Sequence, residues 1–143
     1  MMKAIYEIFE EFEKAETKTE KITVIERNLS DVLINVLKYT FDPGYKFKFN
    51  EFPKEYKKPN TLQGISYAHL GTELRRLYLF QEGNETAEQL AKNPKKQKEV
   101  LLMFLESLEH AEAKVIIGIM KKDLGVKGLD YKFVKECFPL MLP

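Results

Sequence analysis

Capping side chains stand ahead of one short apolar stripe after another in this chain, and that punctuation restricts it to a packing of short helices. Thr17 is followed by Glu20, a capping-box spacing, and then by Ile22 and Ile25. Ser30 or Asp31 opens a stripe of Val32, Leu33, Val36 and Leu37 that must stop near Phe41, because Asp42-Pro43-Gly44 disfavours helix before the proline and turns the chain after it. Asn84 precedes Ala87, Leu90 and Ala91. Asn93-Pro94 pairs a cap with a proline at the first helical position, and Asp130 precedes Tyr131, Val134, Cys137 and Phe138, with Pro139 as the stop. Before all of these, Ile5, Ile8, Phe9 and Phe12 fall on one face at helical spacing.

Two further stripes complete the pattern. Leu70, Leu74, Leu77 and Tyr78 belong to a helix expected to resume near Ser66 and to stop at Gly83-Asn84. Val115, Ile116, Ile119 and Met120 belong to one that begins near Ala111, with Gly125 as its C-terminal stop. The helix opened by Asn93-Pro94 contains Val-Leu-Leu-Met-Phe-Leu at 100–105. It is apolar nearly all round and is expected at the centre of the core. Residues 42–65 are the irregular part, punctuated by Pro43, Pro53 and Pro59 and loaded with Tyr45, Phe47, Phe49, Phe52 and Tyr56. Tyr45-Lys46-Phe47-Lys48-Phe49 alternates as a short strand would, but no second strand is evident, so the segment reads as an ordered loop held by its aromatics. The expected architecture is all-α: a single compact domain of seven or eight short helices with one ordered loop rich in proline and aromatics.

Composition removes several function classes. At 143 residues, with 44% apolar and 31% charged, the chain suits one soluble globular domain. Its longest apolar run is too short to cross a bilayer, and the acidic N-terminal stretch is unlike a signal peptide. One cysteine, Cys137, excludes an internal disulfide and points to a reducing, cytoplasmic setting, with the thiol buried and inert. His69, His110 and one cysteine cannot make a standard structural zinc site, so no metal is expected. His110 suits a cap or a surface position at a helix junction. No glycine-rich phosphate loop is present, and no pair of carboxylates stands out for acid–base work. Lys121-Lys122-Asp123-Leu124 fails as a nucleotidyltransferase Lys-x-Asp-Gly because Leu124 occupies the glycine position. Neither catalytic residues nor a cofactor are assigned.

The net charge of +1 conceals a segregated distribution. Residues 1–37 hold eight acidic and five basic side chains. Residues 38–58 hold six lysines against Asp42, Glu51 and Glu55. Residues 92–98 hold four lysines and no acid, and residues 114–135 hold six lysines against Asp123 and Asp130. Three basic segments brought to one face would attract a polyanion.

The ordered list of segments is similar to the N-terminal helical DNA-binding domain of ATP-dependent DNA ligases from tailed bacteriophages. The residues that carry the similarity begin with Leu37-Lys38-Tyr39-Thr40-Phe41-Asp42-Pro43, then Phe47-Lys48-Phe49 and Pro53. Leu74 to Leu79 running into Gly83-Asn84 and Ala87 is the second group. The third is Ala113, Ile116, Met120, Lys121-Lys122-Asp123-Leu124, Gly125-Val126, Phe133-Val134-Lys135 and Phe138-Pro139. The resemblance implies non-sequence-specific binding of duplex or nicked DNA in the cytoplasm (the host's, if phage-encoded), without enzymatic activity of its own. A ligase catalytic domain or a sliding clamp would be a further partner. The chain ends before any adenylylation domain, which suggests an excised domain, half of a split ligase or a stand-alone relative.

The residues expected to contact phosphates are Lys46, Lys48, Lys54, Lys57 and Lys58 in the loop, Arg75 and Arg76, the backbone at Gly83 and Asn84, and Lys121, Lys122, Lys127 and Lys132. A second expectation belongs to another class. Asn50-Glu51 and Leu79-Phe80 stand where such ligases tend to be basic, and the first helix exposes Glu7, Glu10, Glu11 and Glu13. Those departures suit a module that keeps the fold but binds a clamp or a host protein.

Overall fold

The N-cap signals act where they stand. A computed structural model describes residues 4–49, 70–108 and 110–143. Among these residues the chain forms eight α-helices and one 3-10 segment: α1 Ile5–Lys14, α2 Lys18–Arg27, α3 Asp31–Phe41, α4 Leu70–Glu73, the 3-10 segment Leu74–Phe80, α5 Glu85–Ala91, α6 Pro94–Glu106, α7 His110–Lys121 and α8 Tyr131–Cys137. The fold is all-α. Thr17, Ser30, Asn93 and Asp130 each accept a backbone N–H from the third residue beyond them. Asn84 accepts two, from Thr86 and Ala87. Glu20 departs from the expected capping box: its carboxylate accepts the N–H of Glu16, one residue ahead of the cap.

Three features differ from expectation. The helix carrying Leu70 tightens to 3-10 geometry after Glu73. With three residues per turn, Leu74, Leu77 and Phe80 fall in one line, so Phe80 is fully buried while Tyr78, placed in the stripe by α-helical spacing, is 46% exposed. The centre of the core belongs to α7, which packs against α1, α3 and α6, and not to α6. Small and branched residues cover α7 on several sides, with Ala113, Val115, Ile116, Gly118 and Ile119 all buried. On α6 only the face of Leu101, Phe104 and Leu105 turns inward, and Met103 is 73% exposed. The third difference is the stop of α7, which ends at Lys121 with Lys122, and not Gly125, as the left-handed residue that terminates it.

That ending organises its surroundings. Lys122 has φ of +63°, the left-handed conformation usually left to glycine. The Asp123 N–H bonds the Gly118 carbonyl at 2.9 Å and the Lys122 N–H bonds the Ile119 carbonyl at 3.0 Å, the two reversed bonds of a Schellman ending. The chain then folds back over Gly118. A Cβ there would lie 3.0 Å from the Leu124 Cα and 3.1 Å from the Asp123 carbonyl oxygen. The core around this turn includes Phe12 edge-on to Phe133 at 5.1 Å and Phe80 against Phe104 at 6.4 Å. No helix among the described residues is long and apolar enough to cross a membrane.

Helix propensity alone favours Gly118→Ala by about 1 kcal/mol. Backbone crowding at this position reverses the sign, and the substitution is expected to destabilise by about 1–3 kcal/mol. Urea unfolding of the two proteins measures it, and a stabilised variant would contradict the tight return of the chain.

Candidate nucleic-acid interface

The basic loop is attached to the helices by its backbone. Phe47 pairs antiparallel with Gln81, so the loop finds its strand partner in the residue after the 3-10 segment. The Lys48 N–H bonds the Phe80 carbonyl at 2.6 Å and the Glu82 N–H bonds the Lys46 carbonyl at 2.7 Å. The alternation in Tyr45-Lys46-Phe47-Lys48-Phe49 then sorts the side chains: the aromatics are half-buried and the two lysines exposed. Tyr45 stands edge-on to Tyr39 at 4.8 Å, and Phe47 and Phe49 pack on the core.

Lys122 secures the other end of this loop. Its ammonium donates to the carbonyls of Tyr39 at 2.7 Å, Asp42 at 2.9 Å and Tyr45 at 2.5 Å, and lies 5.8 Å from the centre of the Phe47 ring. It therefore closes the C-terminal end of α3 and the turn after it, where unsatisfied carbonyls attract a cation. Burial pushes its pKa below the usual lysine value of 10.5, against the pull of the Asp42 charge. The residue expected to contact phosphate is an internal clamp. Lys21 and Lys135 act in the same way, bonding the carbonyls of Phe12 and of Pro139 and Leu142.

The other expected residues divide. Lys46 and Lys48 are exposed beside each other on the loop, although Lys48 forms an ion pair with Glu88 at 2.8 Å. That pair raises the Lys48 pKa and lowers that of Glu88. Gly83 (φ +93°) and Asn84 lie beside the same loop, but their turn is satisfied internally. The Gly83 N–H bonds Glu88 at 3.2 Å, and Asn84 caps α5 with its side chain while its own N–H bonds the Gln81 carbonyl. Arg75 is exposed, and the Arg76 Nε lies 3.5 Å from the buried Glu73 carboxylate. Lys121 is exposed at the end of α7. Lys127 and Lys132 belong to a different neighbourhood. The Lys127 N–H bonds Glu13 of α1 at 3.3 Å, and Lys132 lies near Glu136, whose carboxylate pairs with Lys18 of α2 at 2.5 Å. Lys54, Lys57 and Lys58 lie outside the described residues, as does His69. His110 is the first residue of α7, at the helix junction as expected, and is half-buried with its Nδ1 inside. Cys137 is half-buried and not fully buried as expected, and desolvation raises its pKa.

The structure thus joins two of the basic segments and divides the third, in which Lys122 and Lys135 bond carbonyls while Lys114, Lys127 and Lys132 are exposed. The join is one hydrogen bond: Gln97, only 3% exposed in the first turn of α6, donates its Nε2 to the Lys48 carbonyl at 3.0 Å. Helical geometry sets Lys96 and Lys98 about 100° to either side of Gln97, and Lys95 toward solvent. All three are exposed, as is Lys92 just before the cap. The side chains of Lys46, Lys92, Lys95 and Lys96 pair with no carboxylate among the described residues. Lys92, Lys95 and Lys96 were missing from the expected phosphate contacts. Their signal was the acid-free run of four lysines at 92–98, which a motif search passes over because it matches no motif.

The first turn of α6 carries no acidic residue. Lysines there face the positive end of the helix dipole, an arrangement that costs about 0.3–1 kcal/mol per charge and concentrates positive potential at the loop. Among the described residues, no group of three histidine, cysteine or carboxylate side chains is placed to hold a metal ion.

Replacing Lys122 by methionine keeps the stem but leaves three carbonyls without their donor. A loss of about 2–4 kcal/mol is expected, together with faster amide exchange at Lys48 and Glu82. Urea unfolding and hydrogen exchange measure the two, and unchanged exchange would show that the loop stands without the clamp.

Residues 8–126 match the family of unknown function DUF6433, and the chain belongs to that family. No curated protein matches the chain.

Proposed function

We propose that the protein binds duplex DNA through the phosphate backbone, without reading sequence, and that the binding face is formed by the loop around Lys46 and Lys48 and the N-terminal turn of α6. The observation that carries this reading is the Gln97–Lys48 hydrogen bond, which unites two basic segments 49 positions apart into one exposed surface. Lysines are flexible point charges that suit phosphate and do not discriminate bases. Among the described residues of the loop, Phe47 and Phe49 pack on the core and Tyr45 stands edge-on to Tyr39, so these three rings form no exposed stacking platform, which favours a duplex over a single strand. The resemblance to the ligase DNA-binding domain points in the same direction and gives the role a context: holding DNA for a catalytic domain, with no chemistry of its own.

A protein partner is favoured by one observation. Met103, 73% exposed, stands seven residues beyond Lys96, on the same face of α6. The two readings part on salt. A phosphate-bound duplex dissociates steeply as ionic strength rises, whereas an apolar seat on Met103 is little affected.

With about four lysines in contact, the slope of log affinity against log salt should be about −3 to −4. The double variant K95E/K96E is expected to move two properties in opposite directions. It removes charge that the helix end disfavours, so stability rises by about 0.5–1.5 kcal/mol. It also weakens duplex binding at least tenfold at low salt. Fluorescence anisotropy and urea unfolding measure the pair. Duplex affinity that survives the double substitution would overturn the reading.

A further inference from the structure

The Glu88 carboxylate sits where an incoming phosphate would. One oxygen accepts the Lys48 ammonium at 2.8 Å, the other accepts the Gly83 N–H at 3.2 Å, and Lys92 adds its field. A lysine, a backbone N–H at a glycine turn and a second lysine around one anionic group are the recognition chemistry of a phosphate oxygen pair. We infer that Glu88 is a built-in competitor for phosphate, which holds Lys48 in the free protein and must be displaced when the binding face engages a polyanion. The inference rests on the proposed duplex-binding face and specifies how that face is regulated.

Several observations agree with displacement over permanent pairing. Both partners are surface side chains, with Lys48 51% and Glu88 36% exposed, so water can take over from either. A side chain at Gly83 would meet no described residue within 4 Å, so among these residues the turn is open on its outer side. The loop does not depend on the ion pair, because the Phe80, Glu82 and Gln97 hydrogen bonds hold its backbone independently. Glu82 and Glu85 flank the site without matching this role. Glu82 acts on Lys48 only through its charge, and Glu85 points its carboxylate to solvent in the first turn of α5.

The test compares E88Q with E85Q, which makes the same change in net charge one turn away. Each is titrated with a fluorescent duplex of random sequence across a salt series, and circular dichroism checks folding. E88Q keeps an oxygen for the Gly83 N–H but frees Lys48. It should bind three- to tenfold more tightly at low salt, with a slope steeper by about one, since one more phosphate contact forms. E85Q should gain less than twofold, and adding K48Q to E88Q should cancel the gain. Equal gains in E88Q and E85Q would overturn the inference, as would a gain that survives K48Q. A wild-type protein that binds while E88Q binds no better leaves the binding face standing and removes the competitor. Binding by E88Q alone supports the competitor in its strongest form. Failure of both proteins to bind at low salt removes the face and the competitor together.

Discussion

One ammonium group determines how the basic loop of this molecule is held. Lys122 ends α7 in a left-handed conformation that would ordinarily cost about 1–2 kcal/mol, and its side chain gathers three carbonyls from the end of α3 and the following turn. The position of the loop follows from that convergence. With Tyr45 held by the clamp and Lys46 and Lys48 paired to the chain around Gln81, the alternating side chains have no freedom over which faces the core. Gly118 belongs to the same device, because the chain that presents Lys122 must pass directly over the helix.

Charge in this protein is therefore of two kinds. Lys21, Lys122 and Lys135 bond carbonyl oxygens at helix and chain ends, where the helix dipole favours them. Lys46, Lys92, Lys95 and Lys96 are exposed, and those of α6 stand at the helix end where the dipole disfavours them. Stability alone does not favour lysines in a first turn of α6 that carries no acid of its own, although Glu99 follows one turn later. The proposed ligand of opposite charge would give them a physical reason. The carboxylates on α5 have the converse role. They reduce the net positive charge beside the loop, and Glu88 does so by pairing directly with Lys48.

This division explains what was legible in the sequence. The caps were legible because each depends on one side chain and its immediate neighbours: Ser30, Asn84, Asn93 and Asp130 stand where local chemistry requires them. The tightening to 3-10 geometry was not, since the spacing of Leu74, Leu77 and Phe80 is compatible with either pitch. The end of α7 was misread for a related reason. Local preference points to Gly125, and only partners about 80 positions away compensate a lysine for adopting the glycine conformation. The candidate face followed the same pattern. Lys46 and Lys48 could be read from the alternation of the loop, but counting lysines could not separate an internal clamp such as Lys122 from a solvent-facing charge such as Lys96.

The most direct measurement is a heteronuclear NMR titration of the labelled protein with a short duplex at low salt. The account predicts that the backbone signals of Lys46, Lys48, Lys92, Lys95 and Lys96 move together and saturate together, while those of Lys127 and Lys132 stay in place. Shifts centred on residues 127–132, or no shifts at any duplex concentration, would contradict it.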